Sequence, residues 1–430
     1  MIRAKLSIVM VIYYEVIYIL YYLVHYTFFI CLERMERMIT LNSIFTPENI
    51  LNQYFIATRG KRYHEKIIEF NKHALTNLIQ LNESVLNGTY RPGPDRSFII
   101  HEPKKRVITA NTFEDKIVQG VLVKHALTPL IDPKLIYDNY ASRKGKGTMM
   151  ALDRLDDFLH AYYNNFHTNE GYILKCDIRK YFYRINVPII MEKINRLQMN
   201  DKLKELFQIE VRPWDKVDTG LCIGHEISQW LAIYYLNDMD HMIKEKLRIN
   251  YYGRFMDDFY LIHPSRSYLQ DCLEEIDEHL ATIKLELNEK TQLYNLKHGI
   301  KFLGFHTYLT DTGKVFRLIN QENVRRMIRR MLKYKELVES GVKSIQEVLE
   351  GYTAWRAHAI QGDTEKLLYW LDSRFYEIFE NNLRENDIDF SDYCYVPGRF
   401  VKGKRVKEKD IMWAKKKICN QLALIKDVSK

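Results

Sequence analysis

Asp257 and Asp258 stand side by side between the runs Tyr251-Tyr252-Gly253-Arg254-Phe255 and Phe259-Tyr260-Leu261-Ile262. Both runs are built from alternating β-formers, and Asp tolerates turn geometry, so the stretch reads as a tight β-hairpin with the acidic pair at its tip. Adjacent carboxylates repel each other and resist burial, which gives folding alone little reason to set them between apolar strands. A divalent cation removes that objection. Phosphoryl transfer with two metal ions needs carboxylates from more than one segment, holding ions roughly 4 Å apart so that attacking and leaving oxygens are both stabilised. A second acidic strand is therefore expected, and Tyr172-Ile173-Leu174-Lys175-Cys176-Asp177 supplies one, a short apolar run ending in Asp177 ahead of a helix that Pro188 initiates. Taken singly, each aspartate reads as an ordinary turn or cap residue; the combination points to metal-dependent chemistry.

The elements that must hold these residues follow from hydrophobic periodicity. His225 to Leu247 predicts one long amphipathic helix, with Ile227, Leu231, Tyr234 and Tyr235 inward, leading into the hairpin. A second helix is expected from Tyr268 to Ala281. Helices on one face of an antiparallel sheet leave its other face open, an α+β arrangement.

In this order the segments resemble the palm of a bacterial reverse transcriptase, an RNA-directed DNA polymerase, over a stretch from about Tyr90 to about Leu371. The resemblance implies a right-hand polymerase fold with fingers, a palm of antiparallel sheet backed by helices, and a helical thumb. Asp177 matches the family's first metal-binding aspartate, and Phe255-Met256-Asp257-Asp258 matches its double-aspartate box, with Phe where Tyr is more usual. Asp177, Ile178, Asp257 and Asp258 are the implied ligands of two Mg²⁺ ions, for which Mn²⁺ is a substitute. Phe182 falls where the family places the aromatic that clashes with a ribose 2′-hydroxyl, which implies use of dNTPs. Arg106 and Arg143 are implied to grip the triphosphate, since guanidinium forks pair bidentately with phosphate, with Lys146 as a third cation. Lys290, in Asn288-Glu289-Lys290-Thr291, corresponds to a lysine near the leaving pyrophosphate. Phe302-Leu303-Gly304-Phe305 resembles the primer-grip hairpin, and Leu349 to His358 resembles a thumb helix.

Gly220-Leu221-Cys222-Ile223-Gly224-His225-Glu226-Ile227-Ser228-Gln229 resembles the family's template- and nucleotide-contacting loop. Ile223-Gly224 and Ser228-Gln229 replace the usual Gln-Gly and Ser-Pro, a variant that marks diversity-generating retroelement enzymes, and loss of a polar side chain beside the incoming sugar implies lower fidelity. Retron signatures and group II intron cassettes are missing, which leaves a retroelement enzyme or an antiphage defence enzyme. The implied partners are an RNA template, a DNA or RNA primer and dNTPs. A small accessory protein would follow for the first subgroup, and a toxin, an oligomer or a non-coding RNA for the second. RNA-dependent RNA polymerases share the palm, but Phe182 argues against one. A template-independent nucleotide-adding enzyme on the same palm would keep all three aspartates, and a non-catalytic RNA-binding scaffold would not need them.

Composition sets the bounds. The 430 residues are 47% hydrophobic, enough for two or three compact units, and a formal net charge of +9 suits a polyanionic partner. The six cysteines are scattered with no C-x-x-C pair, so neither a zinc site nor a disulfide framework is expected, and a reducing cytoplasm is the natural compartment. The expected divisions are an apolar segment at 1–34, fingers at 35–165, palm at 166–310, thumb at 311–380 and a basic tail at 381–430. Leu6 to Leu32 is nearly all apolar, interrupted by Glu15 and His25. Three readings compete there: a membrane anchor, a packed or partner-binding helix, and an untranslated extension ahead of a start at Met35 or Met38. The tail carries Arg399, Lys402, Lys404, Arg405, Lys407, Lys409 and Lys415-Lys416-Lys417, which suits a structured RNA or an ordinary solvated helix equally.

Overall fold

The computed structural model describes residues 38–61, 63–101, 105–213 and 218–390. The apolar N-terminal run, Pro103 and Lys104 of the fingers segment, and the basic residues beyond 390 lie outside the described residues. The described residues divide into two units, those within Met1–Leu135 and Lys180–Asn237 and those within Ile136–Arg179 and Asp238–Lys430. Among the described residues no helix is long and apolar enough to cross a membrane.

The first unit is mainly helical. Its helix Pro47–Thr58 starts where Thr46 caps the Asn49 amide and proline occupies the first turn. Helix Phe113–Leu122 begins the same way, the Thr112 hydroxyl accepting from the Asp115 amide, and its residues Ile117, Val118, Val121 and Leu122 are fully buried. A helix apolar on this many positions belongs at the centre of a core. Strand β1 (Arg96–Ile100) pairs antiparallel with β2 (Arg106–Ala110) in the register Arg96↔Ala110.

A buried polar network ties these parts together. The Tyr90 hydroxyl lies 2.7 Å from an Asp115 oxygen and 2.7 Å from a Glu210 oxygen. A hydroxyl has one proton to donate, so one of the two carboxyls must itself carry a proton. Glu210 is that group: it is fully buried, and burial pushes its pKa up to about 7 against hydrogen bonds from Tyr90 and Gln119 and the charge of Arg212, with Asp115 adding to the rise. Asp115 in turn accepts from the Gly93 amide at 3.1 Å.

The second unit holds a four-stranded antiparallel sheet in the order β4-β5-β3-β6, formed by β3 (Tyr172–Asp177), β4 (Tyr251–Phe255), β5 (Asp258–His263) and β6 (Gln292–Asn295). A three-stranded antiparallel sheet follows, β7 (Ile300–Phe302), β8 (Phe305–Leu309) and β9 (Val315–Ile319). Helix Thr148–Phe166 buries Leu152, Leu155, Leu159 and Tyr162 in a core shared with Ile173, Tyr260, Ile262, Phe302 and Phe305, so both sheets close over one apolar layer. Leu303 and Gly304 join β7 to β8 with φ of 48° and 89°, a two-residue turn in which a leucine accepts left-handed geometry. Three further helices, Gln321–Glu339, Ile345–Ala359 and Glu365–Glu385, pack around Leu349, Tyr352, Leu371, Phe375 and Phe379. A buried pair from Arg356 to Asp372, with Nη2 to Oδ2 at 2.9 Å, sets the register of the last two.

The single helix expected from His225 to Leu247 is broken. Helix Glu226–Tyr235 ends at Leu236, Asn237–His241 follows, and Met242–Lys246 is a π turn. Hydrophobic period alone could not show this, because the break serves polar groups. Asp240 is buried under β4, and the extra residue of a π turn shifts the face so that Ile243 stays buried while Lys244 reaches Asp138 at 2.8 Å.

Asp240 meets Arg254, the residue on which the hairpin is built. Both side chains are fully buried. Arg254 Nε donates to Asp240 Oδ1 at 2.7 Å, and Nη1 donates to the Met256 carbonyl at 2.9 Å. Its own amide donates to the Asp138 carbonyl at 3.0 Å, and its carbonyl accepts from the Tyr140 amide at 3.1 Å.

Glu210 has a folded pKa above its ordinary 4.5, so the fold holds the proton through that window; the contribution of this group to stability is fully present below about 4.5 and is lost as pH rises through 7. The denaturant midpoint should therefore drop between pH 5 and 8 by an amount equivalent to about 3 kcal/mol, and Glu210→Gln should flatten that slope; an unchanged slope would refute the shared proton. Arg254→Met should cost about 3–5 kcal/mol in urea unfolding by stranding Asp240, and Arg254→Met/Asp240→Leu should recover more than half of the loss.

Candidate active site

The site is a consequence of strand register. Phe255 pairs with Asp258 across the β4–β5 hairpin, which leaves Met256 and Asp257 as the turn, and Met256 takes a left-handed φ of 56°. Arg254 Nη1 holds the Met256 carbonyl in that conformation. Gly253 is opposite Tyr260, and a Cβ there would come within 2.7 Å of the Tyr260 hydroxyl oxygen, so glycine leaves room for the buried Tyr260 ring to lie over β4. On its other side β5 pairs with β3, and the last pair in that register is Asp177↔Asp258. Residues directly opposite on an antiparallel pair share a face, with Cβ atoms roughly 4.5–5.5 Å apart. The hairpin thus puts Asp258 against Asp177 and keeps Asp257 in the adjoining turn, all three half-buried.

Two groups that sequence reasoning missed hold this cluster of charge. Lys175 lies two residues before Asp177 on the same face of β3, and its ammonium forms an ion pair with Asp258. Burial pulls the Lys175 pKa down to about 8, and Asp177 and Asp257 oppose that fall. The spacing was visible in the sequence, because i and i−2 on a strand point the same way. Asn288 is the second group. Its amide donates to the Asp177 carbonyl at 2.7 Å, and its Nδ2 donates to Asp177 Oδ2 at 2.9 Å. It sits in the segment singled out for Lys290, which is itself exposed two residues further on. Ile178 bridges Leu287 through the bonds of its neighbours, Asn288 to Asp177 and Arg179 to Glu286, so its own C=O and N–H point away from that ladder.

The donor set fits a hard divalent cation. Two carboxylates face each other in register, a third is adjacent, and a main-chain carbonyl at Ile178 is turned out of the ladder, an all-oxygen set of the kind hard cations take.

The remaining expected residues fall into two groups by unit. In the second unit, Arg143 Nη1 donates to the carbonyls of Ile136 at 2.7 Å and Asn139 at 3.0 Å, so much of its fork braces its own loop. Lys146 donates to the Tyr137 carbonyl at 3.0 Å and lies 3.3 Å from the centre of the Tyr137 ring. In the first unit, β2 carries exposed Arg106 at its start and donates from the Thr109 amide to the Ile223 carbonyl at 2.7 Å. Gly224 has φ of 122°, and a Cβ there would lie 2.5 Å from the Thr109 carbonyl oxygen. The Leu221 amide donates to the Phe182 carbonyl at 2.7 Å, which joins the aromatic to the same loop. Gln229 is exposed on helix Glu226–Tyr235.

That loop carries a further cluster. Asp95, Cys222 and His225 bring one ligand atom each within 4.8 Å of one another, although the scattered cysteines gave no sign of it beyond the Cys222-x-x-His225 spacing. His225 Nε2 is 3.2 Å from Asp95 Oδ1, which also accepts from Arg212 Nη2 at 3.1 Å. Burial lowers the His225 pKa, assisted by Arg212 and opposed by Asp95. A guanidinium already answers the Asp95 charge, and the arrangement braces the loop against the start of β1.

Residues 95–307 match the family model of the reverse transcriptase (RNA-dependent DNA polymerase). No curated protein matches the chain. Among solved structures, a telomerase from Candida albicans in complex with a TWJ fragment of telomeric RNA is 15% identical, with a TM-score of 0.42, and the match covers 68% of this chain and 55% of that one. An apo telomerase from Candida tropicalis is 13% identical at a TM-score of 0.39, covering 75% and 64%. A partial Cas6-RT-Cas1–Cas2 complex is 18% identical at 0.33, covering 56% and 42%. The chain thus spans less than two thirds of the length of each of these structures. The matched stretch contains Asp177, Asp257 and Asp258 together with the strands that align them, so residues 95–307 of the chain are a reverse transcriptase domain.

Proposed function

We propose that the chain is an RNA-directed DNA polymerase that adds dNTPs to a primer 3′-hydroxyl. The observation that carries this reading is the Asp177↔Asp258 register pair with Asp257 in the adjoining turn, inside the matched stretch. Asp177, Asp257, Asp258 and the Ile178 carbonyl would hold two Mg²⁺ ions. Bound there, the metals would lower the pKa of the attacking hydroxyl and offset charge on the triphosphate and the leaving pyrophosphate. Asn288 keeps Asp177 oriented by bonding both its main chain and its carboxylate. Lys290, Arg106, Arg143 and Lys146 are assigned to the phosphates by family position, Arg143 and Lys146 while also bonded to carbonyls of their own loop. Fingers at 35–165, palm at 166–310 and thumb at 311–380 remain the functional division we adopt, with 381–430 as an RNA-holding extension.

Phe182 is assigned to exclusion of the ribose 2′-hydroxyl, and Ile223 to a relaxed contact with the incoming nucleotide. The Ile223-Gly224 variant supports service in a retroelement or a defence system, with a structured RNA and an accessory protein as partners. An enzyme adding nucleotides without a template would use the same carboxylates and differs only in what it copies.

Primer extension on an RNA template with dNTPs and Mg²⁺ tests the reading. Wild-type protein should make DNA, and Asp257→Ala/Asp258→Ala should lose at least about three orders of magnitude in rate. Equal product with and without template would instead favour untemplated synthesis. In the same assay Phe182→Ala should raise rNTP incorporation at least about tenfold relative to dNTPs; an unchanged ratio removes Phe182 from sugar selection.

A further inference from the structure

The acidic cluster already contains a cation of its own. Alternation along β3 places Lys175 on the face of Asp177, opposite Tyr260 and diagonal to Asp258. Its side chain is 16% exposed and forms the ion pair with an Asp258 carboxylate that is 33% exposed. The ammonium also lies 3.5 Å from the Phe259 carbonyl and 5.2 Å from the centre of the Phe302 ring. A lysine enclosed in this way has exchanged water for one carboxylate, one carbonyl and one aromatic face, an exchange that is favourable only while the carboxylate is available. A divalent ion on Asp258 would compete for the same oxygen and repel the same ammonium.

We propose that Lys175 is a positioning residue that supplies the resident countercharge of the metal-binding carboxylates and sets how tightly they bind a divalent cation. It neutralises Asp258 before a cation arrives and yields that contact when one engages the carboxylate. Lysine suits this role better than arginine would. It is a compact point charge on a four-carbon stem, able to move without a bidentate bond to break, and the Phe302 ring lies beside it as a second resting place. The proposal rests on the reading of Asp177, Asp257 and Asp258 as metal ligands.

The test is Mn²⁺ binding to the full 430-residue chain without nucleic acid, followed by the electron paramagnetic resonance of the free ion. Lys175→Met and Lys175→Gln should each bind Mn²⁺ at least about fivefold more tightly than wild type, and should show a larger rise in melting temperature on adding the ion. Two neutral replacements are used so that a folding defect in one leaves the other readable. Affinity that is unchanged or weaker in both overturns the proposal, because a lysine needed only for packing would lower stability without tightening the metal. Asp257→Ala/Asp258→Ala separates this from failure of the underlying site. If that variant loses wild-type Mn²⁺ binding, the carboxylate reading stands whatever Lys175 does; if binding survives there, the ion sits elsewhere and both readings fall.

Discussion

A fully buried guanidinium organises the second unit. Arg254 is fully buried, and its charge is answered by Asp240, itself fully buried, with the Tyr252 hydroxyl donating to the same carboxylate at 2.5 Å. Replacing such a pair by apolar residues often costs little, whereas removing one partner leaves a charge in a medium that cannot solvate it. The pair is therefore better understood as a constraint on geometry than as a source of stability. It permits one arrangement of β4, the Met256–Asp257 turn, the Asn237–His241 helix and the Asp138–Tyr140 loop, because any slip strands a charge. One residue of register error would carry Asp258 to the opposite face of the sheet from Asp177.

That geometry creates the next problem, which is repulsion. The sheet converges two aspartates in register and a third in the turn, a high local density of negative charge for half-buried positions. The chain answers in graded fashion. Asn288 donates its main-chain amide to the Asp177 carbonyl and its side-chain amide to the Asp177 carboxylate, and the second bond stabilises that carboxylate without adding charge. Lys175 adds one positive charge at Asp258. What remains is net negative, a surplus suited to a divalent cation. In the first unit the same difficulty is solved by protonation, since Tyr90 can satisfy Asp115 and Glu210 together only while Glu210 keeps its proton.

The contrast between what the sequence disclosed and what it concealed has a physical basis. The hairpin, β3 and the helix after it were legible because alternation and turn chemistry are local, and the acidic residues stood out against apolar flanks. Lys175 was hidden in plain view: nothing in composition separates a lysine that snorkels to water from one that turns inward, although its two-residue offset from Asp177 fixed the face. Arg254, Asp240, Glu210 and Asp115 were harder still. Each looks like a surface residue, and only pairing across 14 positions for Arg254 and Asp240, or 120 for Tyr90 and Glu210, shows otherwise. The break at Leu236 escaped for the converse reason, since apolar period continues across it while the buried polar residues Asn237 and Asp240 decide where the backbone must turn.

The loop from Gly220 to Gly224 shows how chemistry can vary where conformation cannot. Its course is set by main-chain bonds: the Gly220 amide donates to the Ile185 carbonyl at 2.8 Å, the Leu221 amide to the Phe182 carbonyl, and the Ile223 carbonyl accepts from the Thr109 amide on β2. Gly224 is locked by its φ of 122° and by the Thr109 carbonyl where a Cβ would sit. None of these restraints involves the side chain of residue 223. A polar residue could occupy that position, or isoleucine can, without altering the path of the backbone or the placement of Phe182. The side chain at residue 223 can thus change without moving the loop, while Gly224 beside it stays fixed by sterics that a Cβ would violate.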